Sequence, residues 1–239
     1  MPYQNMTLED FARHVGMRID EVRRMADRGK LPAQKVGGQW RFNRARVTEW
    51  LQQEIPTYDD DRLVRIEQAM GPREVSLDDQ SMIVTDLIGL EGVEIHLRAN
   101  TKASALRELV GLAGQTDLLY DPEGLLDALQ QREEMCSTAL PNGVAIPHPR
   151  QPMPYASAEP LICAARTLHG IPFGSNYGGL TSLFFLICCH DDRHHLRVLA
   201  RLMRILDEAT ITALKAAETS DDFLQTLIDK ETEVVKAMK

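Results

Sequence analysis

Long hydrophobic runs are missing from this 239-residue sequence. The longest uninterrupted apolar stretch, residues 183–189, is far too short to cross a bilayer. The opening residues, MPYQNMTLED, contain no basic segment followed by an apolar one, so no secretory leader is expected. Cysteine is scarce: Cys136, Cys163, Cys188 and Cys189 are the only four, and none forms a CxxC pair. A chain of this length can bury a core without disulfides, so reduced thiols and a cytoplasmic location are expected. Internal repeats and low-complexity tracts are also lacking, which sets aside solenoids and compositionally disordered chains. The remaining composition is ordinary for one or two globular domains, 44% hydrophobic and 26% charged.

The net charge of −8 is unevenly spread. Residues 1–53 hold ten Lys and Arg against six Asp and Glu, a surplus of four positive charges; the remainder holds 17 against 29, a deficit of twelve. A basic head on an acidic body suggests two jobs, with nucleic acid a candidate partner for the head.

The head reads as two short helices, a hairpin and a third helix. Thr7 is a candidate N-cap for a helix within 6–15, with Leu8, Phe11, Ala12 and Val15 on one face. Gly16 breaks it. A second helix starts at Arg18 or Asp20 and runs to Arg28, with Gly29 as its C-terminal stop. Gly37 and Gly38, between two short alternating runs, signal a hairpin. Asn43 then caps a helix bearing Val47, Trp50 and Leu51. This is the plan of a winged helix-turn-helix, whose second helix enters the major groove. Arg18, Arg23, Arg24 and Arg28 are its candidate DNA-facing residues, with Lys35, Gln39 and Arg41 on or near the wing. Arginine suits both tasks, because its planar fork pairs with guanine edges or phosphate oxygens. The segment from Met6 to Leu51 resembles the excisionase family of MerR-like DNA-binding domains. The resemblance rests on a TLEDFA-like opening, on RGKLPAQKVG, and on Trp40-Arg41-Phe42 ahead of the last helix. It implies DNA binding; a helix-turn-helix retained for protein interaction is the alternative.

Residues 54–80 read as a linker with one helix, 63–70, bounded by Asp59–Asp61 acids and by Gly71-Pro72. From residue 82 a larger pattern begins. Strands are expected at 93–97, 144–146, 161–165 and 183–189. Helices are expected at 102–113, from the Asp121-Pro122 cap to about 132, at 191–208, and from Ser220 to 237. Helices interleaved with buried strands imply an α/β layered domain over 81–239, behind a DNA-binding domain over 1–53.

The sharpest site signal is the run from Asn142 through Gly143, Val144, Ala145, Ile146 and Pro147 to His148. It holds an imidazole at a strand end. Neutral imidazole is a good nucleophile near pH 7 and can take a phosphoryl group as a labile phosphoramidate. Developing negative charge then needs donors and cations. Arg132 and His195 are candidates, the latter near a helix start whose free N–H groups favour an anion. A rival cluster, Cys188, Cys189, His190, Asp191, Asp192, His194 and His195, is rich in metal-ligand types but has no standard zinc spacing, and neighbouring strand residues point to opposite faces. No metal and no cofactor is therefore expected. His14, His96 and His169 read as structural or exposed.

REEMCSTALPNGVAIPH at 132–148, with HHLRVLARLMRILDE further on, resembles the enzyme IIA domain of the phosphoenolpyruvate-dependent sugar phosphotransferase system, of the fructose–mannitol and nitrogen-regulatory class. The resemblance covers residues 82 to 235. It implies a mixed sheet covered by helices on both faces, and His148 as the residue phosphorylated by HPr or its nitrogen-branch relative. It also implies that Arg132 and His195 hold the phosphoryl group. Two positions depart from the family pattern. Pro141 stands where Gly or Ala is usual, and Pro149 replaces a small residue after the histidine, removing one N–H donor.

Three functional readings follow: a transcriptional regulator controlled by phosphorylation of its own body, a phosphocarrier that passes phosphate to an enzyme IIB, and an unphosphorylated module that docks onto a regulatory target protein. Expected partners are the HPr-like carrier and double-stranded DNA, without a membrane. A homodimer would fit an operator with two half-sites.

Overall fold

The computed structural model describes residues 5–71, 82–174 and 178–238. The chain divides into two compact units. One comprises residues 1–79 with Leu196–Arg204, and the other residues 80–195 with 205–239.

In the first unit the order is β1 (Asn5–Met6), α1 (Leu8–His14), α2 (Ile19–Asp27), β2 (Ala33–Val36), β3 (Gln39–Asn43), α3 (Arg44–Glu54) and α4 (Asp60–Met70). Local chemistry sets these boundaries. Thr7 and Asp10 form a reciprocal capping box that starts α1, Asn43 caps α3 and Asp59 caps α4. The three strands form an antiparallel sheet in the order β1-β3-β2. Gly37 and Gly38, at φ +57° and +79°, make the tight turn between β2 and β3. Phe11 of α1 stacks on Phe42 of β3, with ring centroids 4.3 Å apart, over a core that includes Val22, Val47 and Leu51. Gly16, at φ +66°, is required by space as well as conformation, because a Cβ there would lie 2.7 Å from the Arg65 carbonyl oxygen of α4.

This unit also buries a charged cluster. Glu67 of α4 accepts from the Arg201 guanidinium through two contacts, one of them Nε to Oε2 at 2.9 Å. Arg204 reaches Glu67 Oε2 at 3.2 Å and Asp60 Oδ1 at 2.6 Å. The side chains of Glu67, Arg201 and Arg204 are each 4% exposed or less.

In the second unit β4 (Val93–Glu94) precedes α5 (Lys102–Gly114), α6 (Pro122–Met135), β5 (Val144–Ala145), β6 (Leu161–Ile171) and β7 (Thr181–Cys188). Then come α7 (Asp192–Ile205), whose residues from Leu196 to Arg204 belong to the first unit, α8 (Glu208–Ala216) and α9 (Ser220–Lys236). The sheet order is β4-β6-β7-β5; β4 runs parallel to β6, β5 parallel to β7, and β6 antiparallel to β7. Alternation along the strands feeds two cores. Cys163 and Ala165 of β6, with Phe184 and Leu186 of β7, pack with Leu106 and Leu109 of α5 and Leu125 and Leu129 of α6. Phe185 of β7 instead meets Phe223 of α9, at 6.4 Å between ring centroids. This is the mixed sheet with helices on both faces that the sequence implied. Glu231 of α9 is fully buried and accepts from the Val84 and Thr85 amides and the Thr85 hydroxyl, which fixes the turn before β4.

Several element boundaries differ from expectation, three of them by a nameable interaction. β4 ends at Glu94, because the His96 amide donates to the Glu94 side chain and leaves the ladder. β6 runs on to Ile171, carried by its antiparallel pairing with β7. The helix expected at 191–208 stops at Ile205; Asp207 caps a separate α8 by accepting from the Thr210 amide at 2.8 Å. Part of the expected linker, residues 72–80, lies outside the described residues.

Trp40 and Trp50 both lie in the first unit and are the only tryptophans, so their fluorescence reports its unfolding. Glu67→Ala leaves two buried guanidinium groups without their shared carboxylate and is expected to cost about 3–5 kcal/mol. A urea titration followed by tryptophan fluorescence checks this: a midpoint within error of the wild type would show that the cluster does not hold the unit together.

Candidate functional site

Three elements of the second unit bring the singled-out residues together. Arg132 lies in the last turn of α6, His148 follows β5 after Ile146 and Pro147, and His195 sits in the first turn of α7. The imidazole centroids of His148 and His195 are 4.8 Å apart. His148, His195 and Arg132 are only 3%, 5% and 6% exposed, so an incoming group reaches them only when neighbouring atoms move aside.

The ring orientation of His148 has a definite cause. Its Nδ1 lies 2.7 Å from the Ile146 carbonyl oxygen. A carbonyl can only accept, so Nδ1 carries the proton and Nε2 keeps its lone pair. That Nε2 is buried and has no hydrogen-bond partner, and the same is true of Nε2 of His195. Unpartnered polar atoms are costly inside a protein, and these two belong to rings whose centroids are 4.8 Å apart. Burial, then His195, then Arg132 hold the His148 pKa well below 6.5. Burial first, then Arg132 and His194, bring His195 down to about 4, against the opposing pull of Asp191. Both rings are therefore neutral at pH 7. Arg132 donates to the Cys136 carbonyl at 2.6 Å, which anchors the guanidinium at the end of its helix.

Two amides near the start of α7 are bonded within the chain. His194 N donates to the Asp191 carboxylate at 2.9 Å, and His195 N to the Asp191 carbonyl at 3.1 Å. Asp191 also puts negative charge beside His195. Pro149 is buried beside His148 and has no N–H to offer. The rival cluster is dispersed. Cys188 and Cys189 are buried thiols, and burial raises both of their pKa values. His190 donates from Nε2 to the Ser157 carbonyl at 3.1 Å. Among the described residues no three His, Cys, Asp or Glu side chains converge on a metal position.

Sequence reasoning passed over Glu133, the neighbour of Arg132. Its buried side chain accepts from the amide and hydroxyl of Thr138. The one available signal was a run of two acids, Glu133 and Glu134, which reads as a solvated helix end.

In the first unit, Arg18, Arg23, Arg24, Arg28, Lys35 and Gln39 are exposed. A cleft of about 400 Å³ between α2 and the β2–β3 wing gathers Arg23, Lys35, Gln39 and Arg41, with Glu9 and Asp27 at its edge. Arg18, Arg24 and Arg28 lie outside this cleft; Arg18 pairs weakly with Asp20 at 3.9 Å. Lys35 stands 5.4 Å from the Trp40 ring centroid. Arg41 is half-buried and bonded to Gln39 and to the Trp40 carbonyl, so part of its donor set already stiffens the wing.

Residues 86–230 match the family model for the phosphoenolpyruvate-dependent sugar phosphotransferase system, EIIA 2, and residues 6–54 match a helix-turn-helix domain. The nitrogen regulatory protein of Bradyrhizobium diazoefficiens is 34% identical over 137 residues, which is 54% of this chain and 84% of that protein. The PTS system fructose-specific EIIA component of Haloferax volcanii is 30% identical over 161 residues, 65% of this chain and 100% of that protein. The fructose-specific EIIABC component of Bacillus subtilis is matched over only 23% of its length, at 24% identity. Among solved structures, nitrogen regulatory protein IIA-Ntr from Neisseria meningitidis superposes with a TM-score of 0.55 at 20% identity, covering 61% of this chain and 99% of that one. IIA mannitol from Escherichia coli gives 0.53 at 23% identity, covering 59% and 98%. At these identities the structural likeness speaks to the fold alone.

The depressed histidines predict an acid-sensitive fold. The unfolded chain protonates them near 6.5, while His195 in the fold holds out to about 4. Stability is therefore full above pH 6.5 and drains as pH falls toward 4, with His195 alone accounting for about 3 kcal/mol at the lower end. Urea midpoints measured across this window should fall less steeply in His195→Gln than in the wild type; equal slopes would mean that His195 is not held neutral.

Proposed function

The chain belongs to the EIIA 2 family of the phosphoenolpyruvate-dependent sugar phosphotransferase system and carries a helix-turn-helix domain ahead of it, and on that footing we propose that it is a DNA-binding regulator set by phosphorylation of His148. The observation that carries this reading is the pair of buried, unpartnered Nε2 atoms beside Arg132.

In the proposed reaction Nε2 of His148 attacks the phosphorus of a phosphohistidine on an HPr-type carrier. The donor's P–N bond breaks as the new one forms, and the donor imidazole leaves with the bonding electron pair. The proton stays on His148 Nδ1, hydrogen-bonded to the Ile146 carbonyl, which steadies the positive charge that the ring acquires on phosphorylation. Arg132 offsets the phosphoryl oxygens. His195 supplies a donor as its Nε2–H tautomer. No cofactor enters the reaction.

For the head, we assign Arg23, Lys35 and Gln39 to the DNA backbone along the cleft, and Arg18, Arg24 and Arg28 to the exposed side of α2. On this reading the chain divides into a DNA-binding segment at 1–53, a connecting segment at 54–80 and a phosphoacceptor segment at 81–239, and it works in the cytoplasm. Two heads on a symmetric operator would require a homodimer. Onward transfer to an enzyme IIB is a second reading, favoured by the 30% identity to the PTS system fructose-specific EIIA component of Haloferax volcanii.

Incubation with a phosphorylated HPr-type carrier should add one phosphoryl group to the wild type and none to His148→Ala, read by intact mass at neutral to alkaline pH. Arg132→Gln should slow the transfer by about 10²-fold. A labelled His148→Ala chain would remove His148 from its role.

The head is expected to bind duplex DNA with steep salt dependence. Arg23→Ala and Lys35→Ala should each lower the slope of log affinity against log salt by about 1, with similar losses on all sequences. The same titrations on the phosphorylated chain should give a different affinity; identical curves would separate DNA binding from phosphorylation.

A further inference from the structure

A buried carboxylate is expensive unless its partners are good, and apolar residues often serve stability better. Glu133 nevertheless sits on α6 with its side chain 2% exposed. Its Oε1 accepts from the Thr138 amide at 3.0 Å and from the Thr138 hydroxyl. Its Oε2 faces Lys102 Nζ at 3.4 Å, a charge pair without hydrogen-bond alignment, so that oxygen receives no donor. Lys102 opens α5 and is itself guided into place. Its Nζ lies 5.5 Å from the Phe173 ring centroid, and Gly174, at φ +105°, clears its path. A Cβ on Gly174 would come within 2.9 Å of that nitrogen.

These contacts lead to the nucleophile. The Thr138 carbonyl accepts from the Ile146 amide at 3.2 Å, and the intervening loop closes through Leu140 N to Val144 O at 2.7 Å. The Ile146 carbonyl in turn accepts a hydrogen bond from Nδ1–H of His148. One continuous series of contacts thus joins Lys102, Glu133, Thr138, Ile146 and His148. An imidazole released from its carbonyl shares its proton between both nitrogens, and the fraction protonated on Nε2 cannot attack phosphorus.

We propose that Lys102 and Glu133 are positioning residues that hold His148 in its Nδ1–H tautomer through Thr138 and Ile146. The proposal rests on the phosphoacceptor reading for its purpose, but its direct readout needs no phosphate donor. The test is imidazole nitrogen NMR on the full chain, as wild type, Lys102→Met, Glu133→Gln and Lys102→Arg. Lys102 is one-third exposed, so Lys102→Met should fold even where Glu133→Gln does not. In the wild type, His148 should show a protonated Nδ1 and a bare Nε2. Lys102→Met and Glu133→Gln should show mixed tautomers, and Lys102→Arg should restore the wild-type pattern. Transfer from the phosphorylated carrier at saturating donor should fall roughly 10- to 100-fold in the first two, with the half-saturating donor concentration unchanged. A folded Lys102→Met chain with the wild-type tautomer would overturn the proposal, as would a wild-type His148 protonated on Nε2. A tautomer shift in chains that accept no phosphate would support the positioning role while overturning the phosphoacceptor reading alone.

Discussion

The bond from His148 Nδ1 to the Ile146 carbonyl is the constraint on which the rest of the site depends. It is short and lies within three residues of chain, between a strand end and a proline. It decides which nitrogen holds the lone pair and fixes the ring plane that meets His195. Arg132 and His195 are useful only relative to that nitrogen. Burial adds to the effect: both rings are held neutral, so on the proposed reading His148 would need no adjacent base to remove a proton.

Away from the site, polar groups placed among apolar ones have their bonding capacity taken up. Glu231 pins the entry to β4, and Arg166 of β6 closes the end of α8 by donating to the carbonyls of Leu214, Lys215 and Ala217. Such groups specify one arrangement among the many that a Leu- and Val-rich core would tolerate.

What was legible in the sequence was local. Thr7, Asn43, Asp121 and the paired glycines at 37 and 38 each act within a few residues, and each marks the boundary it was expected to mark. The strand ending in Pro147-His148 announced itself, and resemblance supplied Arg132 and His195. What was not legible depends on distance along the chain. Glu67, Glu133 and Glu231 look like surface acids, because the groups that justify burying two of them lie more than a hundred residues away. Glu133 hides for another reason: its partner Thr138 is near, but only the backbone path of the loop brings it inward. The break between α7 and α8 escaped because Leu206 continues the apolar spacing, while the cap at Asp207 competes with it.

The discontinuous make-up of the first unit bears on how such a chain can be taken apart. Its compact body includes Leu196–Arg204, supplied from the far end of the sequence. A fragment cut after residue 79 would keep every helix and strand of the head, yet strand Glu67 without either guanidinium. A fragment beginning at residue 80 would keep His148 and His195, but carry Arg201 and Arg204 without Glu67. The first unit is thus completed by residues from the far end of the sequence, and a cut at residue 79 divides that one unit between two fragments.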